Sequence, residues 1–98
     1  DMVKVKGVNI FPSQIDEMLL GVEGASSEYQ FMIDHLNGKD LCTLFVEAEA
    51  GVDRGRLEES VRAAFKAKIG ILVNVMPVAV GELPRSEKKS TRIFDNRY

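Results

Sequence analysis

Two alternating apolar runs joined by Asn37-Gly38 restrict the fold of this chain more than any other feature of it. Tyr29, Phe31 and Ile33 alternate with Gln30, Met32 and Asp34, and Leu41 to Ala48 forms a second β-rich run. A period of two places each apolar set on one side of an extended strand. Asn-Gly is the dipeptide that most readily takes positive φ at both central positions of a tight hairpin turn. The two runs are therefore expected to pair antiparallel, and such a pair needs something to cover its apolar face.

Two stretches of helical period supply that cover. Phe11-Pro12-Ser13 opens the first, in which Ile15, Met18, Leu19 and Val22 form one stripe. Pro fits a first turn, Ser13 is expected to cap free N–H groups, and Asp16 and Glu17 to favour the positive helix end. In the second, Asp53 is the expected cap, Leu57, Val61, Ala64, Phe65 and Ile69 recur at three and four, and Gly70 ends the helix. Leu72 to Val78 reads as a last long strand, and the GASSE stretch from Gly24 as a loop. Val3 and Val5, then Val8 and Ile10, alternate about Lys6-Gly7 and predict a small hairpin. The expected fold class is α/β (α+β): a two-layer sandwich with a ferredoxin-like antiparallel or mixed sheet and two helices on one face, preceded by that hairpin.

With 98 residues, 45% of them hydrophobic, the chain reads as one domain. The longest apolar stretch, from Ile69 to Val80, is broken by Gly70, Asn74 and Pro77, so no membrane helix is expected. The start, DMVKVKG, lacks a secretory signal, and one cysteine, Cys42, excludes an internal disulfide, so a reducing, cytoplasmic setting is expected. The sequence begins on a strand-like segment without Met at position 1, as a piece of a longer protein would. A net charge of −2 argues against a general nucleic-acid binder.

Charge is unevenly placed. Residues 85–98 carry five Lys or Arg against two acids, a local +3, which leaves −5 on the remainder. This turn-prone tail reads as a movable cationic arm suited to a phosphate or carboxylate. Elsewhere the chemistry is sparse. His35 stands without a second His or Cys at ligand spacing, so no metal site is expected. Cys42, inside an apolar run, reads as a small buried hydrophobe. Glu58-Glu59 and the Glu47, Glu49 pair read as solvated faces and strand edges, and no phosphate loop with a following lysine is present. Two places survive: Lys88-Lys89 in the arm, and the Lys6-Gly7-Val8 turn.

KVKGVNIFPSQID at residues 4–16 and LPRSEKKSTRIFDNR at residues 83–97, with YQFMID, VEAEA and the second helix between them in the same order, resemble the C-terminal domain of phenylacetate-coenzyme A ligases, within the acyl-adenylate-forming superfamily. The resemblance implies one C-terminal lid domain over residues 1–98 of a larger enzyme, whose N-terminal domain holds most of the ATP, Mg²⁺ and acid sites. The family's terminal motif, Pro-Arg-Ser-Glu-Gly-Lys, matches Pro84, Arg85, Ser86 and Glu87, puts Lys88 in place of the glycine and makes Lys89 the implied catalytic lysine. The missing glycine leaves open which of Lys88 and Lys89 enters the site, and Arg85 and Lys88 are implied phosphate contacts. Lys6, Gly7 and Val8 match the hairpin that lines the coenzyme A (CoA) channel after the domain rotates. The family's hinge acid falls just before Asp1. Implied partners are ATP, CoA, an aryl acid of the phenylacetate type and the N-terminal domain of the same protein, with a homodimer left open; the isolated domain is expected to be inactive. The competing reading is a stand-alone ferredoxin-like regulatory or ligand-binding module.

Overall fold

The structure, a computed structural model, describes residues 2–83 and 92–97. In chain order these form β1 (Val3–Val5), β2 (Val8–Ile10), α1 (Pro12–Leu20), β3 (Ala25–Leu36), β4 (Lys39–Ala48), α2 (Arg54–Lys68), β5 (Asn74–Val78) and β6 (Ile93–Asp95). β1 and β2 make a separate two-stranded sheet, and the other four strands make a mixed sheet in the order β5-β4-β3-β6.

The central pair behaves as its alternation predicts. β3 and β4 run antiparallel with Phe31 opposite Leu44 and Leu36 opposite Lys39, and the turn between them takes φ of 53° at Asn37 and 78° at Gly38. Both values are positive, as a type I′ turn requires. β5 pairs parallel to β4, and β6 parallel to β3. Phe31, Ile33, Leu44 and Val46 are buried against Ile15, Met18 and Leu19 of α1 and Leu57, Val61 and Phe65 of α2. The Phe31 and Phe65 rings stack with centroids 5.6 Å apart. One apolar core thus lies between the sheet and a single layer of two helices, the two-layer sandwich that the sequence implies.

Five local expectations are corrected. GASSE is not a loop throughout: β3 already begins at Ala25, which pairs with Ala48, and the register shifts between Ala25 and Tyr29, so an irregularity accommodates Ser26-Ser27 within the strand. The cap of α1 is Phe11 rather than Ser13: Pro12 holds the first helical position, and the Gln14 side chain accepts the Phe11 N–H. Asp16 and Glu17 lie beyond the first turn and offer the helix end little. The last strand starts at Asn74 rather than Leu72, after Ile71 and Val73 have turned into the core. Finally, the tail holds a strand, β6, because its apolar Ile93 and Phe94 find a free edge of the sheet at β3. Asp53 does cap α2, accepting the N–H groups of Gly55 and Arg56.

Candidate functional site

Of the two segments singled out by sequence, the Lys6-Gly7-Val8 turn lies within the described residues. Lys6 and Gly7 form the turn of the β1–β2 hairpin, with φ of 52° and 78°. A two-residue turn with both φ positive is again type I′, and it matches the twist of the flanking strands. Val5 and Ile10 pin the hairpin to the core at 1% and 0% exposure, while Lys6 and Gly7 are exposed and Val8 is half-buried. A Cβ added at Gly7 would meet nothing within 4 Å in this domain. The turn therefore presents bare backbone outward.

Lys6 borders an open cleft of 340 Å³ whose other walls include Leu41, Cys42, Leu72, Asn74 and Arg62. Arg62 leans back on Glu58 one turn earlier in α2. Two cations beside an apolar floor suit an anion carried on a less polar body. Burial pushes the Cys42 thiol up, against the pull of the neighbouring Lys6 ammonium, so this sulfur stays protonated and serves as packing.

Lys88, Lys89 and Arg85 lie outside the described residues, but both ends of the chain that carries them are described. At one end, Gly81 and Leu83 donate their backbone N–H groups to the Glu47 carboxylate at 3.0 and 3.1 Å. Glu47 is fully buried, which overturns its reading as a solvated strand-edge acid. The turn after β5 folds over it, and a buried carboxylate is tolerable only when donors surround it. At the other end, Arg92 sits 5.1 Å above the Tyr29 ring, donates to the Ser27 carbonyl and lies 3.6 Å from Glu28. Burial, then the nearby Asp16, push the Tyr29 hydroxyl well above its usual range, and that hydroxyl donates to the Pro12 carbonyl.

Glu47 and Cys42 are five residues apart on one strand, so the root of the 84–91 segment and the Lys6 cleft are separated by about 17 Å along β4. The first lies at the end of β4, the second at its beginning.

The end near the hairpin carries a cluster that sequence reasoning missed. Arg97, with 11% of its side chain exposed, donates to both Asp95 oxygens, to Asp40 and to the Lys4 carbonyl. The second oxygen of Asp40 meets His35 Nδ1 at 3.0 Å. Asp40 titrates below its ordinary range because of the His35 and Arg97 hydrogen bonds, and Asp95 does so because of Arg97. Arg92 and Arg97 are thus docked on the sheet, and the expectation of a movable cationic arm does not hold for these two. Among the described residues, no three His, Cys, Asp or Glu groups converge as a metal site. No described helix is long and apolar enough to cross a membrane.

The sequence profile of the AMP-binding enzyme C-terminal domain matches residues 7–97. Phenylacetate-coenzyme A ligase of Escherichia coli K12 is 34% identical over 99% of the chain, and that of Pseudomonas putida 33% identical over 99%. The chain spans 24% of the length of each of these relatives. Among solved structures, a domain of phenylacetate-coenzyme A ligase from Bacteroides vulgatus superimposes with a TM-score of 0.86 at 33% identity, covering all of this chain and 94% of that one. A 2-hydroxyisobutyryl-CoA ligase, solved with 2-HIB-AMP and CoA in its thioesterification state, superimposes with a TM-score of 0.89 at 26% identity, over 99% of this chain and 21% of that one.

Proposed function

The chain belongs to the AMP-binding enzyme C-terminal domain family, and from that premise we propose that it is the mobile C-terminal domain of an AMP-forming ligase that joins an aryl acid of the phenylacetate type to CoA. The observation that carries this reading is the separation of its two polar ends. The root of the segment bearing Lys89 lies at Glu47, the cleft that Lys6 borders lies about 17 Å away along β4, and two such ends can serve one external site in turn.

In the first pose Lys89 enters the cavity of the N-terminal domain. Its ammonium group bridges the acid's carboxylate and the α-phosphate of ATP; a carboxylate oxygen attacks the α-phosphorus, and pyrophosphate leaves with the electron pair of the broken P–O bond. Holding two anions together and neutralising the charge that develops is the whole of the lysine's task. Arg85 and Lys88 contribute further positive charge toward the phosphates. In the second pose the hairpin faces the same cavity. Lys6, Gly7 and Val8 line the passage of CoA, whose thiol attacks the acyl carbonyl and expels AMP. The bare backbone at Gly7 permits close approach, and Lys6 with Arg62 gives the cleft an affinity for phosphate. Alone, without the pocket of the larger domain, the chain is inactive.

The test uses the full-length ligase with Lys88→Ala and Lys89→Ala made separately, following acid-dependent pyrophosphate release and thioester formation independently. Loss of one charge donor from the reacting centre should lower adenylation by about 10²–10³ for Lys89→Ala. If both variants adenylate at the parent rate, the assignment fails.

A further inference from the structure

The hairpin shares no backbone ladder with the four-stranded sheet. Val5 and Ile10 anchor it through apolar contact, which is non-directional and leaves its tilt to be fixed by something else. Lys4 faces Asn9 in the ladder next to the closing pair Val5 and Val8. In a two-residue hairpin that neighbouring pair is the non-hydrogen-bonded one, so the Lys4 carbonyl points away from β2. Arg97 meets it at 2.9 Å. The same guanidinium is held by Asp95 at 2.8 Å and by Asp40 at 3.0 Å, residues at the ends of β6 and at the start of β4. A planar fork gripped by two carboxylates of the large sheet has little freedom left, and another of its donors fixes one carbonyl two residues before the turn.

We propose that Arg97 is a positioning residue for thioester formation: it clamps the β1–β2 hairpin to the sheet through the Lys4 carbonyl and so sets where the Lys6-Gly7 turn stands when CoA reacts. It touches neither substrate. The inference rests on the reading of the hairpin as the CoA-facing element, and it adds a residue outside the hairpin that controls it. Leu83 and Arg92, the described residues on either side of the segment that bears Lys89, are held at the opposite end of the sheet from this clamp.

The experiment compares Arg97→Ala, Arg97→Lys, Asp40→Asn and Gly7→Trp in the full-length ligase, by acid-dependent pyrophosphate exchange and by thioester formation from supplied acyl-adenylate. Arg97→Ala is expected to lower kcat/KM for CoA by about 10- to 100-fold, the cost of a misplacement near 1 Å, while pyrophosphate exchange stays within about threefold. Arg97→Lys keeps the charge without the fork and should share the loss. Asp40→Asn keeps the shape of the clamp and should show a smaller loss of the same selectivity, which decides the matter if Arg97→Ala does not fold. A purely structural role would slow both half-reactions together and would be overcome at lower temperature; that result, or full activity of Arg97→Lys, overturns the proposal. Gly7→Trp separates the two claims. If it leaves thioester formation intact, the reading of the hairpin fails and the inference with it; if it blocks that step while Arg97→Ala does not, the inference alone fails.

Discussion

Removing the Glu47 carboxylate should destabilise the domain by a large fraction of its stability, although an acid in an alternating strand ordinarily faces solvent. The carboxylate accepts N–H groups of Gly81 and Leu83 at 3.0 and 3.1 Å, and its side chain is fully buried. Hydrogen bonds to a charged group contribute about 1.5–3 kcal/mol each, so the pair would sum to about 3–6 kcal/mol. Part of that is offset, because truncation also returns the cost of keeping a charge out of water. Gly81 is exposed, so water can replace its lost partner; Leu83 is 9% exposed, so its N–H is left largely unpaired. The expected net loss for Glu47→Ala is about 2–4 kcal/mol, against a total of about 5–15 kcal/mol for a domain of this size. Glu47→Gln retains one acceptor oxygen and should lose about half as much. Urea unfolding of the 98-residue chain followed by circular dichroism reads these values directly, and the melting temperature of the Ala variant should fall by about 10–25 °C. An Ala variant within about 0.5 kcal/mol of the parent would refute the reasoning, since surface substitutions fall in that range.

Other outcomes follow from the same geometry. Phe65→Ala removes a fully buried ring stacked on Phe31 and should cost about 3–5 kcal/mol in urea unfolding, whereas Met76→Ala, at a half-exposed site on the edge strand, should cost under about 1 kcal/mol. Asp95 is held below its ordinary pKa by Arg97, so its contribution to stability is present above the usual carboxylate range and is lost as pH falls through its folded pKa. A carboxyl NMR titration of Asp95 should therefore shift upward, toward the ordinary value, in Arg97→Gln; an unchanged midpoint would contradict the fork.

The amount of structure readable in the chain differs by element for physical reasons. The β3–β4 pair was legible because local period and turn chemistry agree: Asn37 and Gly38 demand positive φ, and Tyr29, Phe31 and Ile33 demand one covered face. The helical stripes of α1 and α2 were legible for the same reason. Strand β6 was hidden by its neighbours, since three residues of Ile-Phe-Asp inside a charged tail carry no period, and only the vacant edge of β3 makes them a strand. Glu47 is buried although an acid in an alternating run is ordinarily the solvated partner. Its only sequence signal was its place within the apolar run Leu44-Phe45-Val46-Glu47-Ala48. Arg97 and Asp40 were beyond reach altogether: they are 57 residues apart, and no local rule relates them.

Sequence alone determined the hairpins, the two helices and the order of every element up to β5, because period and turn residues are local properties that each short segment carries with it. Tertiary structure decided which polar groups are buried, which arginines are docked and how far Leu83, at the root of the 84–91 segment, stands from the Lys6 cleft. Those are consequences of sheet order, and sheet order is fixed by which edges remain open once the core has closed.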